Sequence, residues 1–392
     1  MKQATLKPQL YLNVFYLLIL IFVSCDHKPP FGHIYYPPED ENFTQLAPLN
    51  DTSWASVGVR RQIEQHKSDS YFKLMDAQYQ TVWERHYEGE DFEMGYKIIP
   101  SGDNYILLGL SKFSGERQGD SRVAIVANDG HELWNSIIGG AGDDRLFGGV
   151  ATPDNGFLFV GSTVRDRSQG FDGWLVKLDN NGKELWTRSF GLRGNMKGDY
   201  FSSIQSLTGG GYIISGYSAS YGAGRFDAWL VKIDEFGHEE WSRTYGGPGK
   251  DYIFKPYLLD DGGFLLYGST ASKSKGQSIG WLFKTDSLGN VIWTQYYKDT
   301  SGLKSLVPFR SDGYLLLGNF KESESAENDI WLCRIDMWGN KVWAKLLGGE
   351  GSDSGLGLYE SSTGYRIIAQ SRSFASYRGT WIIHLDSEGS PQ

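Results

Sequence analysis

From residue 71 onward the chain is written as short apolar runs separated by turns rich in glycine, aspartate and asparagine. The runs come in sets of four, for example Tyr200–Ser206, Gly211–Gly216, Ala228–Ile233 and Glu239–Tyr245. Runs such as FLFVG (157–161) and YIISG (212–216) are apolar at consecutive positions, so both faces of those strands must be covered. The turns Asp261-Gly262-Gly263 and Asp179-Asn180-Asn181-Gly182 supply the positive φ and side-chain capping that tight hairpins need. Each set therefore predicts a four-stranded antiparallel meander, strands A to D, packed between two others like it.

The sets repeat about every 52 residues, and a shared W-L-x-x-x-D-x-x-G-x-x-x-W core marks them. Its last tryptophan falls at Trp83, Trp134, Trp186, Trp241, Trp293 and Trp343. The segment 71–87 reads as a C strand and a D strand without A or B, while 379–392 reads as a C strand and its turn without D. An N-terminal D strand would complete the last unit and leave no exposed sheet edge. The expected fold is all-β: a six-bladed β-propeller over 71–392, its ring closed by the strand in 71–87. The alternative, seven blades, draws its extra strands from residues 40–70.

The D-x-x-G-x-x-x-W element is carried by Asp179, Gly182 and Trp186, by Asp234, Gly237 and Trp241, and by Asp336, Gly339 and Trp343. It resembles the tryptophan-docking repeat of quinoprotein-like propellers, among them the propeller lipoprotein of the outer-membrane assembly machine, with a turn one residue shorter. The whole unit, with its GG-x-G-x-D loop and WLVK-x-D strand, is similar to a repeat of bacterial and archaeal secreted propellers to which no chemistry is attached. The resemblance implies architecture over residues 71–392.

Ahead of the repeats, Lys2 and Lys7 precede an apolar run from Tyr11 to Val23, the layout of a secretory signal. The run ends in Phe22-Val23-Ser24-Cys25, which resembles a bacterial lipobox. This implies a signal peptide over 1–24, acylation (palmitate among the chains) at Cys25, and a protein held on the outer membrane or cell surface. Residues 25–70 contain Pro29-Pro30 and Pro37-Pro38 and lack sustained periodicity, so they read as a flexible spacer, with a short helix over Val57–His66 as an option.

Composition narrows the function classes. The 392 residues carry a net charge of −9, which gives no basic footprint for nucleic acid. Only Cys25 and Cys333 are present, so no disulfide framework exists, and Cys333, in place of the valine of WLVK, reads as a core thiol. Acidic residues recur at the entry to strand A: Glu93, Asp144, Asp251 and Asp353, with Asp199 after an insertion, while the unit ending at Trp293 has Leu303 there. Either each carboxylate caps its own loop, or the five ring the channel mouth and hold a cation, calcium being the best match for hard oxygen ligands. No other cofactor is implied. The B–C loops emerge on the same face and carry Arg117, Arg165, Arg225, Lys273 and Arg378, a basic-leaning rim. No H-E-x-x-H pair occurs and the seven histidines are dispersed. The expectation is a monomeric, non-enzymatic binding or scaffolding propeller for an envelope protein or glycan. The competing class is a quinoprotein-like oxidoreductase or a glycan-active propeller enzyme.

Overall fold

A computed structural model describes residues 28–37, 41–62, 67–88, 92–112, 119–140, 142–164, 170–192, 198–321, 327–375 and 379–392. The short apolar runs become strands paired in antiparallel meanders. In chain order, β1 (His33–Tyr35) precedes blade 1, which is made of β2 (Glu41–Pro48), β3 (Ser53–Gln62), β4 (Lys67–Asp76) and β5 (Thr81–Tyr87). Blade 2 is β6 (Phe92–Ser101), β7 (Asn104–Lys112), β8 (Asp120–Ala127) and β9 (Glu132–Ile138); one parallel bridge, Ser68 to Phe92, ties it to blade 1. Blade 3 is β10 (Arg145–Ala151), β11 (Phe157–Thr163), β12 (Asp172–Leu178) and β13 (Glu184–Phe190). Blade 4 is β14 (Asp199–Ser206), β15 (Tyr212–Ser218), β16 (Asp227–Ile233) and β17 (Glu239–Tyr245). In blade 5 the inner strand is broken into β18 (Asp251–Ile253) and β19 (Tyr257–Leu258), followed by β20 (Phe264–Thr270), β21 (Ile279–Thr285) and β22 (Val291–Tyr297). Blade 6 is β23 (Leu303–Phe309), β24 (Gly313–Lys321), β25 (Asn328–Asp336) and β26 (Lys341–Leu347). Blade 7 is β27 (Asp353–Ser361), β28 (Gly364–Ser371) and β29 (Thr380–Leu385), with β1 as its outer strand.

The protein is thus a β-propeller of seven four-stranded blades, the alternative count, and not of six. The six tryptophan marks undercount because the seventh outer strand is His33-Ile34-Tyr35, which carries no tryptophan. The N-terminus does close the ring, but through β1, paired from His33↔Ile382 to Tyr35↔Thr380, and not through 71–87, which are β4 and β5 of blade 1. Residues 41–62, read as spacer, are the A and B strands of that blade. The optional helix at Val57–His66 gives way to β3, where the pairing Val57↔Phe72 and Val59↔Ser70 continues the sheet.

The burial pattern explains the ring. Seven apolar cores lie between neighbouring blades, each drawing on both: Leu158, Val160 and Leu175 of blade 3 meet Phe201, Ile214 and Trp229 of blade 4, and Leu46, Trp54 and Met75 of blade 1 meet Ile368 and Ile382 of blade 7. Seven blades with seven interfaces make a closed circle. The repeat signature locks the outside of it. In six hairpins the C–D glycine sits at φ between 74 and 85° against the outer-strand tryptophan of the preceding blade; a Cβ on Gly237 would lie 2.4 Å from Trp186, and one on Gly182 2.6 Å from Trp134. Only glycine satisfies both demands. At the closing junction Tyr79 takes that place at φ 62° and packs on His33, Tyr35 and Trp54, with ring centroids 5.0–5.5 Å apart.

Candidate binding face

The A strands are innermost, since their side chains reach along the ring to the next blade: Thr44 Oγ1 donates to the Gly95 carbonyl at 2.6 Å and Lys97 Nζ to that of Phe147 at 2.8 Å. D–A and B–C loops share one face. All five predicted acids lie there at the entry to strand A, and all are buried, with Asp199, Asp251 and Asp353 at 0% exposure.

Each is turned onto its own blade. Asp144 accepts the Thr163 hydroxyl and, at 2.7 Å, the Gly140 N–H; Asp251 accepts the Thr270 and Ser272 hydroxyls and the Gly247 N–H at 3.0 Å. Asp353 takes Ser373 and the Gly349 N–H at 2.9 Å, and Asp199 takes Ser218 and the Ser220 N–H. These are loop-capping arrangements. Among the described residues no three His, Cys, Asp or Glu side chains converge as a metal centre.

Register completes the ring. Every intact inner strand carries a β-bulge, three residues beyond the acid in blades 2, 3, 4 and 7. Counting back from the bulge in blade 1, between Phe43 and Gln45, lands on Glu41, a sixth buried acid. In blade 6 the same count lands on Ser301 and not on Leu303, because the D–A loop there is shorter. Blades 1 and 2 use glutamates, paired with cations: Glu41 with Lys73 at 2.6 Å, and Glu93 with Arg122 at 3.2 Å as well as the Ser111 hydroxyl.

A second acid, missed in the sequence, begins strand C and faces the first across the D–A glycine. A Cβ on Gly246 would lie 2.5 Å from both Asp227 and Asp251, and one on Gly348 2.2 Å from Asp329 and 2.9 Å from Asp353. Burial, with the neighbouring carboxylates Asp144 and Asp143 adding to it, pushes Asp120 up to about 6. Asp227 and Asp329 are raised for the same two reasons, burial first and then Asp251 or Asp353.

Beside these buried acids, five half-buried aromatic rings cluster on blades 3 to 5. Tyr200 stacks on Tyr217 at 4.8 Å and meets Phe171 at 5.3 Å; Tyr217 meets Phe226 at 5.5 Å and Tyr252 at 5.1 Å. Tyr200 and Tyr252 each follow the ring acid directly, and at the same place in blade 3 stands Arg145, paired with Asp143 at 2.7 Å. Of the predicted rim, Arg225 and Lys273 are exposed on this face, Arg225 next to Phe226; Arg117, Arg165 and Arg378 lie outside the described residues, as does Cys25. A cleft of about 300 Å³ opens nearby, between Gly140, Asp144 and Thr163 on one side and Trp174, Glu184 and Ser189 on the other.

Two chemical readings can be set aside on geometry. GQSIG (276–280) has the spacing of a nucleophile elbow, yet it leads from a B–C loop into β21 with no following helix, and Ser278 is exposed. Cys333 is fully buried in the core between blades 5 and 6, and burial pushes its thiol up to about 12, so it stays protonated.

No protein-family model matches the chain, and no curated protein matches it. Solved structures do. The Pan2 WD40 domain of Neurospora crassa is similar at TM-score 0.56 and 10% identity, covering 89% of this chain and 93% of that one. An acylaminoacyl peptidase of Pyrococcus horikoshii matches at TM-score 0.52 and 10% identity, over 90% of this chain and 52% of that one. A protein of unknown function from Bacteroides caccae matches at 13% identity and TM-score 0.40, over 70% and 89%. At this level of identity the first two likenesses support the propeller fold alone.

Proposed function

We propose that this protein is a non-enzymatic binding propeller of the bacterial cell envelope, and that it recognises a glycan on the face formed by its D–A and B–C loops. The observation that carries the reading is the cluster of Phe171, Tyr200, Tyr217, Phe226 and Tyr252. Rings half open to solvent, with phenol groups at their edges, suit a pyranose, whose C–H face is apolar and whose rim is hydroxyl. Asp143, Arg145 and Arg225 stand beside the rings to bond those hydroxyls. The buried acids hold the loops that present this surface; they are its frame.

The anchor belongs to the same proposal. Acylated Cys25 would place the propeller close to a bilayer, because Phe31 is already pinned, stacked on Trp381 at 5.2 Å with its carbonyl held by the indole N–H at 2.9 Å. Six residue steps from Cys25 to Phe31 span at most roughly 20 Å. The tether is therefore much shorter than a spacer running to residue 70.

The test is a glycan array probed with the full-length protein in detergent, followed by Tyr200→Ala and Tyr252→Ala. Binding to a defined set of saccharides that falls at least tenfold in both variants, with unchanged melting temperature, is the expected result. Retention of binding in both would place recognition elsewhere. Metabolic labelling with a palmitate analogue, present in wild type and lost in Cys25→Ala, checks the anchor separately.

A further inference from the structure

Two layers of residues line the central channel, seven in each: the bulge residue of each intact inner strand and the residue after it, with Phe254 and Lys255 at the equivalent places, three and four residues past Asp251, in the broken strand of blade 5. By register the first layer is Thr44, Tyr96, Phe147, Ser202, Phe254, Lys304 and Leu356, and the second is Gln45, Lys97, Gly148, Ser203, Lys255, Ser305 and Gly357. Three are lysines and none is a carboxylate, in a protein whose net charge is −9. Lys97 and Lys255 belong to the same layer on blades 2 and 5, which are three places apart in a ring of seven and so lie across the channel from one another. Lys304 stands one blade further, its ammonium 5.3 Å from the centre of the Phe254 ring.

Among the described residues no carboxylate forms an ion pair with any of the three. Lys97 spends one proton on the Phe147 carbonyl at 2.8 Å. The ring acids that could have neutralised the lysines are instead committed to their own loops, as shown above. Like charges placed around one channel with no counter-charge are an arrangement that a bound anion would complete. Burial first, and the charge of Lys255 second, already lower Lys97 to about 8, and burial lowers Lys255 as well. Phe147 and Phe254 supply apolar wall at the level of the lysines, and Phe254 is 37% exposed.

We propose that the channel is an anion-binding site in which Lys97, Lys255 and Lys304 hold a phosphate or carboxylate group, with Phe147 and Phe254 against the body that carries it. This site is separate from the aromatic platform and does not depend on the glycan reading.

The probes are inorganic phosphate, phenyl phosphate and acetate, each added to the full-length protein in detergent against sodium chloride of matched ionic strength. Stabilisation by a ligand that binds only the folded state raises the melting temperature by about 1–2 °C at roughly tenfold excess over its Kd for a chain of this size. That rise is expected with phosphate or acetate, larger with phenyl phosphate, and absent with chloride. It should disappear in Lys255→Met and in Lys97→Met/Lys255→Met, and persist in Lys183→Met, an exposed hairpin lysine outside the channel. Lys255→Met removes a repulsive charge and should fold at least as well as wild type, so loss of the response there reports on binding. No rise in wild type with any of the three anions, or an equal rise in Lys255→Met, would overturn the proposal.

Discussion

The paired acids at the blade junctions make a prediction with a definite sign. Asp120 faces Asp144 across the D–A loop and its carboxyl is raised to about 6, by burial first and then by the Asp144 and Asp143 charges. Each tenfold change in proton affinity is worth about 1.4 kcal/mol, so the rise from 3.8 corresponds to at most about 3 kcal/mol of destabilisation in the charged state. Asp120 is only partly buried, and solvent screening brings the expected figure down to about 1 kcal/mol. A carboxyl whose folded-state pKa lies above its unfolded value costs stability once it is ionised: the penalty is present in full above pH 6 and is relieved as the pH falls from about 6 towards 3.8. Asp120→Asn keeps the size of the side chain but removes the charge. It should therefore stabilise the protein by about 1 kcal/mol at pH 7.5, with the gain shrinking towards zero at pH 4. Urea unfolding of variant and wild type at both pH values measures this directly, because titrating groups not coupled to Asp120 cancel in the difference. An equal gain at the two pH values, or a loss at pH 7.5, would refute the repulsion.

Deleting residues 28–37 removes β1 and bares the edge of β29; the protein should aggregate or lose its single cooperative transition, read by light scattering and calorimetry. Lys73→Met leaves Glu41 charged in a site where both side chains are at most 5% exposed, at a cost of about 3–5 kcal/mol, or a fall in melting temperature of about 5 °C. Calcium at millimolar concentration should leave the melting temperature unchanged, since the ring carboxylates already accept hydroxyl and N–H donors; a rise lost on Asp251→Ala would show that a cation competes for them.

What the sequence displayed of this fold follows from where its constraints act. The D-x-x-G-x-x-x-W element is legible because two residues of adjacent blades must meet: a glycine such as Gly237 at φ 79° lies flat on Trp186, and neither can vary alone. The closing blade escapes that signal. Its outer strand comes from the opposite end of the chain, and the hairpin that packs on it carries Tyr79 where the others carry glycine, so neither half of the mark appears. Glu41 was hidden for the same reason: the outer strand before it, His33–Tyr35, has no tryptophan from which to count. The acid at each strand entry was readable from spacing alone, but spacing cannot register a shortened loop, which is why Leu303 stood in for Ser301. The aromatic platform was not readable at all. Phe171 and Phe226 come from B–C loops and Tyr217 from β15, and only the ring geometry brings them to Tyr200 and Tyr252.

The exceptions within the repeat have one physical explanation. In blades 3 to 7 a tryptophan stands in strand C opposite the small residue of strand B, as in Gly161↔Trp174 and Gly216↔Trp229. Blade 2 has Gly109↔Arg122 there, and blade 1 has Gly58↔Tyr71 with Lys73 buried two residues on. A cation placed inside an interblade core needs a carboxylate within hydrogen-bond reach, or its burial costs several kcal/mol. The ring acid is the nearest one, and in just these two blades it is lengthened by a methylene, to Glu41 and Glu93. The five remaining blades bury no such cation at these places; four of them keep the shorter aspartate on a serine or threonine, and blade 6 has Ser301. Arg122 is further held over the Tyr87 ring, 5.2 Å from its centre, so the guanidinium fills the slot that an indole occupies elsewhere. Glutamate and cation are therefore one substitution in two parts, and the ring position is acidic in blades 1 and 2 for a reason internal to the fold.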